Sequence, residues 1–366
     1  MTAAATLRAA GVDPALAAAA LTQATLRAAA VAKFGADAAA MFFTRAGLEQ
    51  ATRGPVAARR AARLHAAEVR SVADLGCGIG ADTLAFARAG IRVLAVDADP
   101  LTAAVAAANV RALGLDPLVS VSRTDVRDVD LSTVDGAFCD PARRTGTGRV
   151  FDPRGYSPPW DFVTGLADRV RYTVLKLAPG LDHALIRPDA EAEWVSVDGD
   201  VVEACLWYAP LAVTPRRATL LPSGASLTGT GSSRAPVGLV RRYLYEPDGA
   251  VIRAHLVAEF ASTVDGTLAD PDIAYVYADS LFRTPFARCY EVREVLPFSV
   301  KRLRAVLRER GIGRLTVKKR GSALDPDQFR RSMRLSGPGT ATVVLTRIAG
   351  APMALIVEPL PVIMPG

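Results

Sequence analysis

Aromatic residues make up only 6% of this 366-residue chain, histidine occurs three times and cysteine four times. Each scarcity removes a class of chemistry. The cysteines, Cys77, Cys139, Cys205 and Cys289, stand alone without paired spacing, so neither a zinc site nor a disulfide framework is expected. A reduced, cytoplasmic compartment is the corresponding expectation. His65, His183 and His255 are scattered, which gives no basis for a histidine cluster, and no metal is expected. The extreme N-terminus has no basic segment leading into a leucine-rich core, so secretion is not expected. The most apolar stretch, Ala15 to Phe34, is interrupted by Gln23, Arg27 and Lys33 and lacks a run of large apolar residues. It reads as a poor bilayer span, and no membrane partner is expected.

Half of the residues are nevertheless apolar, most of them small, which suits close-packed helices. The length allows two packed units and a smaller third. Residues 1–70 read as a helical segment, with helices near Pro14–Phe34, Asp37–Thr52 and Val56–Val69. The last is basic on one side through Arg59, Arg60, Arg63 and Arg70, and covering the following domain is its first reading, reaching substrate its second. From Ser71 the pattern becomes short apolar runs alternating with helices, the mark of a parallel sheet covered by helices. Three later runs, Glu193–Val197, Val202–Leu206 and Arg217–Leu221, follow one another without helices and read as antiparallel edge strands. The Gly/Ser/Thr-rich stretch Leu227–Pro236 marks a boundary, which gives an α/β domain over 71–226 and a small α+β domain over 236–366. Within the latter, Leu239–Tyr243 and Val251–His255 are candidate strands, as are Arg314–Lys319, Thr340–Thr346 and Met353–Glu358.

The strongest local signal is Asp74-Leu-Gly-Cys-Gly-Ile-Gly80, directly after an apolar strand. Gly76, Gly78 and Gly80 let the chain turn sharply and bring backbone amides against a ligand before the next helix. Asp74 lies where a pyrophosphate would be repelled and an amino-acid ammonium attracted. Asp97 ends the next strand, where it can accept two ribose hydroxyls. Asp125, just past the third strand, falls where a carboxylate accepts from an adenine amino group. The run VADLGCGIGADTLAFARAG, followed by VLAVDAD and TDVRD, resembles the class I S-adenosylmethionine-dependent methyltransferases. The resemblance covers roughly residues 70–222 and implies a Rossmann-like sheet with S-adenosylmethionine as cofactor. It assigns Gly76, Gly78 and Gly80 to the methionine moiety, Asp97 to the ribose and Asp125 to the adenine.

After the fourth strand comes Cys139-Asp140-Pro141-Ala142-Arg143-Arg144, where such enzymes place the residues that face the methyl group. Asp140-Pro141 resembles the NPPY or DPPR motif of enzymes that methylate nucleic-acid bases. There the side chain and the following carbonyl accept hydrogen bonds from the target amine, which positions it rather than deprotonating it. The chain departs from that pattern in having Ala142 for the second proline and Arg143 for the aromatic that stacks on a flipped base. Arg143 and Arg144 either contact substrate or pair with carboxylates of this corner. Trp160, in Ser157-Pro-Pro-Trp160, is a base platform or ordinary packing, and Lys176 either contacts a phosphate or cofactor carboxylate or is a strand-end lysine reaching solvent. Neither Cys77 nor Cys139 is placed as the nucleophile of a base-C5 methyltransferase.

The formal net charge is +7, yet Phe298 to Arg334 alone holds twelve Lys/Arg against three Asp/Glu. That region reads as a basic helix, with Lys301 and Arg302, feeding a basic strand with Lys318 and Lys319, suited to a phosphate backbone. The CDPARR corner, the loop through Trp160 and the N-terminal run MFFTRAGLEQATRGPVAARRAARL resemble a bacterial methyltransferase group whose C-terminal region is termed THUMP-like. That resemblance implies structured RNA, tRNA or rRNA, as partner. Two other readings stay open: a methyltransferase acting on a small molecule or protein, and a non-catalytic RNA-binding module.

Overall fold

The protein is described by a computed structural model over residues 3–143 and 155–361. Two compact units emerge, one formed by residues 1–192 and 203–213, the other by 193–202 and 214–366. Both boundaries differ from a single break at the Gly/Ser/Thr-rich stretch.

The first unit opens with helices α1 (Ala3–Ala9), α2 (Pro14–Phe34), α3 (Arg45–Gln50) and α4 (Gly54–Ala66). Asp13 caps α2, its Oδ1 accepting from the amides of Ala15 and Leu16, with Pro14 at the first helical position. By length and composition the stretch from Pro14 to Ala39 is apolar enough to cross a bilayer. Its polar residues bind the rest of the unit instead. Gln23 exchanges hydrogen bonds with the Phe43 main chain, Arg27 donates to the Met41 carbonyl, and Lys33 donates to the carbonyls of Leu48, Glu49 and Ala51 at the end of α3. The helix expected over Asp37–Thr52 is instead a 3-10 turn at Gly35–Ala39, an extended stretch and the short α3, which Thr44 caps through the Gly47 amide.

The sheet of this unit uses β1 (Ser71–Leu75), β2 (Arg92–Asp97), β3 (Val119–Arg123), β4 (Gly136–Cys139) and β7 (Tyr172–Leu177), all parallel, with α5 (Ala81–Arg88) after β1 and α6 (Pro100–Ala112) after β2. Strand β9 (Asp200–Tyr208) pairs antiparallel with β7. The order β9-β7-β4-β1-β2-β3 reverses direction at β1, so the crevice that an open α/β sheet uses for ligands lies beyond the carboxyl ends of β1 and β4. β1 is buried along its whole length, as an inner parallel strand must be. Phe86 of α5 packs edge-on against Phe138 of β4, with ring centroids 5.5 Å apart. A two-stranded ribbon, β5 (Ala142–Arg143) with β6 (Tyr156–Ser157), follows β4 and leads to α7 (Trp160–Gly165).

The second unit contains the strand order β11-β10-β8, from β10 (Arg216–Leu221), β11 (Ala225–Gly229) and β8 (Ala190–Val197), whose first three residues belong to the first unit. It also holds a separate seven-stranded sheet ordered β13-β14-β12-β15-β18-β17-β16. Those strands are β12 (Tyr243–Pro247), β13 (Thr267–Leu268), β14 (Val276–Ala278), β15 (Ala287–Pro297), β16 (Ile312–Lys319), β17 (Gly339–Ile348) and β18 (Ala351–Pro359). Helices α8 (Gly249–Arg253) and α9 (Val257–Thr263) lie between β12 and β13 in the chain, and α10 (Val300–Glu309) and α11 (Pro326–Met333) cover one face of the sheet through Leu303, Leu307, Phe329 and Met333. The strand expected at Val251–His255 is therefore mostly helix, started by Asp248, whose carboxylate accepts from the Ala250 amide.

Candidate active site

The glycine turn forms as its composition requires. Gly76, Gly78 and Gly80 have φ of +87°, +58° and +93°, a region closed to most side chains. The amides of Gly76 and Cys77 both donate to the Val96 carbonyl of β2, which ties the turn to the neighbouring strand. The N-terminal helices brace the turn from outside. Buried Asn109 of α6 donates to the carbonyls of Ile79 and Phe42 and accepts from the Phe42 amide, and a side chain at Gly47 of α3 would collide with Ile79. Neither Asn109 nor Gly47 is visible from sequence as part of the site, because both act through contacts distant along the chain.

Asp97 ends β2 with its carboxylate accepting from the amides of Gly78 and Asp99, at 3.1 and 3.0 Å. Both oxygens keep lone pairs, and partial burial raises its pKa. Asp74, on β1, is 1% exposed. One oxygen accepts from the Thr83 hydroxyl, while Oδ1 is buried without a hydrogen-bond partner. Burial, aided by the Asp82 charge, pushes its carboxyl up to about 8. A buried carboxylate oxygen with no donor, beside an amide-lined turn, is a place for a cationic ligand group. Asp125 behaves differently. It caps the short turn after β3, and both oxygens are taken by Arg127, which holds the carboxyl down at about 2.

Asp140 follows β4, and its carboxylate is paired with the ammonium of Lys176 near the end of β7. Lys176 is largely buried, with 14% of its side chain exposed, so it is not a solvent-reaching lysine. Burial raises the Asp140 carboxyl against the pull of Lys176, and the carboxylates of Asp140, Glu203 and Asp82 raise Lys176 against its own burial. Beneath this pair lies a second buried group. Arg60 of α4, 2% exposed, bridges Asp82 of α5 and Glu203 of β9, and its guanidinium stacks on Phe138 at 4.6 Å. One turn on, Arg63 pairs with buried Glu191, donates to the Leu211 carbonyl and stacks on Trp207 at 4.0 Å. Arg60 and Arg63 of α4 thus face inward and cover the sheet, while Arg70, past the end of the helix, is exposed.

The ribbon returns Ser157 beside Ala142 and Tyr156 beside Arg143, which brings the Ser-Pro-Pro-Trp segment back to the Asp140-Pro141 corner. Trp160 is half-buried, its ring 6.0 Å from that of buried Tyr156. Arg144 and the side chain of Arg143 lie outside the described residues. Burial pushes the thiols of Cys77 and Cys139 far up, which disfavours the thiolate that a covalent mechanism needs. Among the described residues, no group of three or more His, Cys, Asp or Glu is placed to hold a metal ion.

Residues 72–142 match the model of a methyltransferase domain, and residues 287–359 match that of a THUMP domain-like family. Uncharacterized S-adenosylmethionine-dependent methyltransferases of two Mycobacterium tuberculosis strains are each 36% identical over 320 residues, which span 85% of this chain and 86% of theirs. The chain belongs to the S-adenosylmethionine-dependent methyltransferases. The crystal structure of a putative methyltransferase from Porphyromonas gingivalis W83 shares the fold, with TM-score 0.78 and 20% identity over 96% of this chain and 92% of that one.

The residues of this methyltransferase fit its cofactor. The unsatisfied Asp74 oxygen suits the α-ammonium, the turn through Gly76, Gly78 and Gly80 admits the methionine moiety, and Asp97 has acceptor capacity for ribose hydroxyls. When bound, S-adenosylmethionine supplies an electrophilic methyl group on a sulfonium, so the protein's task is to align a nucleophile rather than to generate a strong base. In the second unit of the methyltransferase, Lys301 and Arg302 are exposed on α10. Lys318, however, is held by Glu246 at 2.7 Å over the Tyr290 ring, and its neighbour Lys319 points to the opposite side of β16. The two lysines therefore do not act as one patch. Arg314, Arg331 and Arg334 do share a place. They line an open groove of about 830 Å³ between the start of β16 and the end of α11, and their guanidinium groups have no partner among the described residues.

Proposed function

We propose that this methyltransferase transfers a methyl group to a base in structured RNA, tRNA or rRNA, in the cytoplasm. The observation that carries the reading is the arginine groove. Much of the positive charge that composition assigns to this region is already used: Arg310 pairs with Glu294, Arg330 with Asp327 and Lys318 with Glu246, while Arg304 and Arg308 cap main-chain carbonyls. Three arginines left unneutralised beside an edge strand suit consecutive phosphates of a nucleic-acid backbone, which guanidinium groups bind bidentately. Lys301 and Arg302, exposed at the start of α10, are further phosphate contacts in this reading.

At the other end of the reading, Asp140 and the Pro141 carbonyl orient the acceptor, and Trp160 with Arg143 and Arg144 hold the base that carries it. Asp74, the three glycines and Asp97 hold the cofactor. Asp125, as the adenine contact, would first have to release Arg127. The test of the RNA reading is the salt dependence of tRNA and rRNA-fragment binding, measured by fluorescence anisotropy. A steep loss of affinity with salt, reduced by two to three in log–log slope when Arg314, Arg331 and Arg334 become alanine, is expected at about 0.7–0.9 per phosphate. Absence of RNA binding would transfer the activity to a small-molecule or protein acceptor.

A further inference from the structure

The register of the sheet assembles an unusual row of charge beside the methyl-transfer corner. Asp74, Phe138, Val174 and Trp207 lie opposite one another across β1, β4, β7 and β9, and so share one face. Two residues further on, the same face carries Asp140, Lys176 and Cys205, and Glu203 follows on β9. Helices α4 and α5 add Arg60 and Asp82 from above. The groups facing Asp140 are therefore the carboxylates of Asp82 and Glu203, the carboxyl of Asp74, raised by burial, the Cys139 thiol, and Lys176 as the paired cation. Arg60 is committed to Asp82 and Glu203. Lys176 is the one cation of this set that touches Asp140, and it touches only Oδ2.

We propose that Lys176 is the positioning residue for Asp140: it anchors Oδ2, leaves Oδ1 to accept a hydrogen bond from the methyl acceptor, and so selects a neutral nitrogen that bears an N–H. This rests on the reading of Asp140 as the group that orients the acceptor. Two physical arguments carry it. Beside the carboxylates of Asp82 and Glu203 and partly buried, Asp140 has its charged form favoured by the adjacent ammonium against burial, and an anion accepts a stronger hydrogen bond than a neutral carboxyl. With Asp74 protonated near neutral pH, the charged carboxylates Asp82, Asp140 and Glu203 face the cations Arg60 and Lys176, with Lys33 close to Lys176, so selection rests on the Asp140 oxygen itself. A phenolate or carboxylate acceptor has no proton to donate to Asp140 Oδ1, whereas an amine N–H has one.

The test compares wild type with Lys176→Met, Lys176→Arg and Asp140→Asn, through the infrared band of protonated carboxyl groups and through the pH profile of methyl transfer. Removing the ammonium raises the pH at which Asp140 gives up its proton. In Lys176→Met a carboxyl band, absent from the double variant with Asp140→Asn, should persist at least about one pH unit higher than in wild type. Activity should fall most at the low end of the pH range and recover as pH rises, while Lys176→Arg restores both readouts. If Lys176→Met does not fold, Lys176→Gln carries the same comparison. An unchanged band with the same fractional loss at every pH would leave Lys176 a purely structural residue and overturn the proposal. So would a methyl group found on a ribose oxygen or a base carbon. A shifted band in a protein that methylates no RNA would uphold Lys176 and remove the RNA reading.

Discussion

Replacing Arg60 by methionine tests the buried network most sharply. The side chain is 2% exposed and carries two ion pairs, so the substitution keeps volume and strands two carboxylates in the interior. Removing one partner of a buried pair costs about 3–5 kcal/mol, far more than the pair itself contributes over an apolar replacement. Some compensation survives, since Asp82 keeps the Thr52 hydroxyl at 2.7 Å and Glu203 keeps the Cys205 thiol at 3.1 Å. The stacking on Phe138 is lost as well, and it acts in a desolvated setting where such contacts are worth about 2 kcal/mol. A loss near 4 kcal/mol, with a urea slope of about 2 kcal/mol per molar, moves the unfolding midpoint down by about 2 M. Adding Glu203→Gln removes one stranded charge and should recover at least about 1 kcal/mol, so the two changes are non-additive. A midpoint shift below about 0.5 M, or strict additivity with Glu203→Gln, would refute the view that α4 is anchored by buried charge.

Further outcomes follow from the cofactor cleft and the groove. With its carboxyl pushed up to about 8, Asp74 holds a proton at pH 7 that the α-ammonium displaces. Cofactor affinity measured by calorimetry should rise from pH 6 toward 8, by at most about tenfold per unit, and turn down above it as the α-ammonium itself loses its proton, and Asp74→Asn should abolish the rise. Between about pH 4 and 8 the folded state binds this proton and the unfolded chain does not, so its contribution to the stability of the cofactor-free protein falls as pH rises through that window. Asp97→Ala removes an acceptor from the ribose and should weaken cofactor binding about 10- to 100-fold. Asp125→Ala should weaken it less than about fivefold, because Arg127 already occupies both oxygens; a loss as large as that of Asp97→Ala would show that Asp125 leaves Arg127 to bind adenine. Changing Gly78 to alanine forces a side chain into φ +58° and should cost about 1–2 kcal/mol in a thermal melt and most of the cofactor affinity.

Local signals were legible and distant ones were not. The glycine turn, the acidic ends of β1 and β2, and the antiparallel run after β7 all follow from patterns within a few residues. Asp140 and Lys176 were readable one at a time, but their pairing depends on β4 and β7 lying side by side, 36 residues apart in sequence. Arg60 read only as one of the basic residues of a covering helix, because its partners, Asp82 and Glu203, lie 22 and 143 residues away. A usable hint existed: Glu191, Glu193 and Glu203 interrupt otherwise apolar strands, and buried carboxylates need cations. Val251 and Ile252 drew a strand reading through β-branching, and the Asp248-Gly249 start overrode it. Lys318 and Lys319 looked like one patch because the period-2 alternation that separates them only matters once β16 is placed.

The most direct test is transfer of labelled methyl groups from S-adenosylmethionine into total RNA from a strain lacking this gene, with Asp140→Ala as the control. The account predicts incorporation into RNA by the wild-type protein and its loss in the variant, although both bind the cofactor by calorimetry. No incorporation by a wild-type protein that binds S-adenosylmethionine would contradict the RNA reading, and equal incorporation by Asp140→Ala would contradict the assigned catalytic corner.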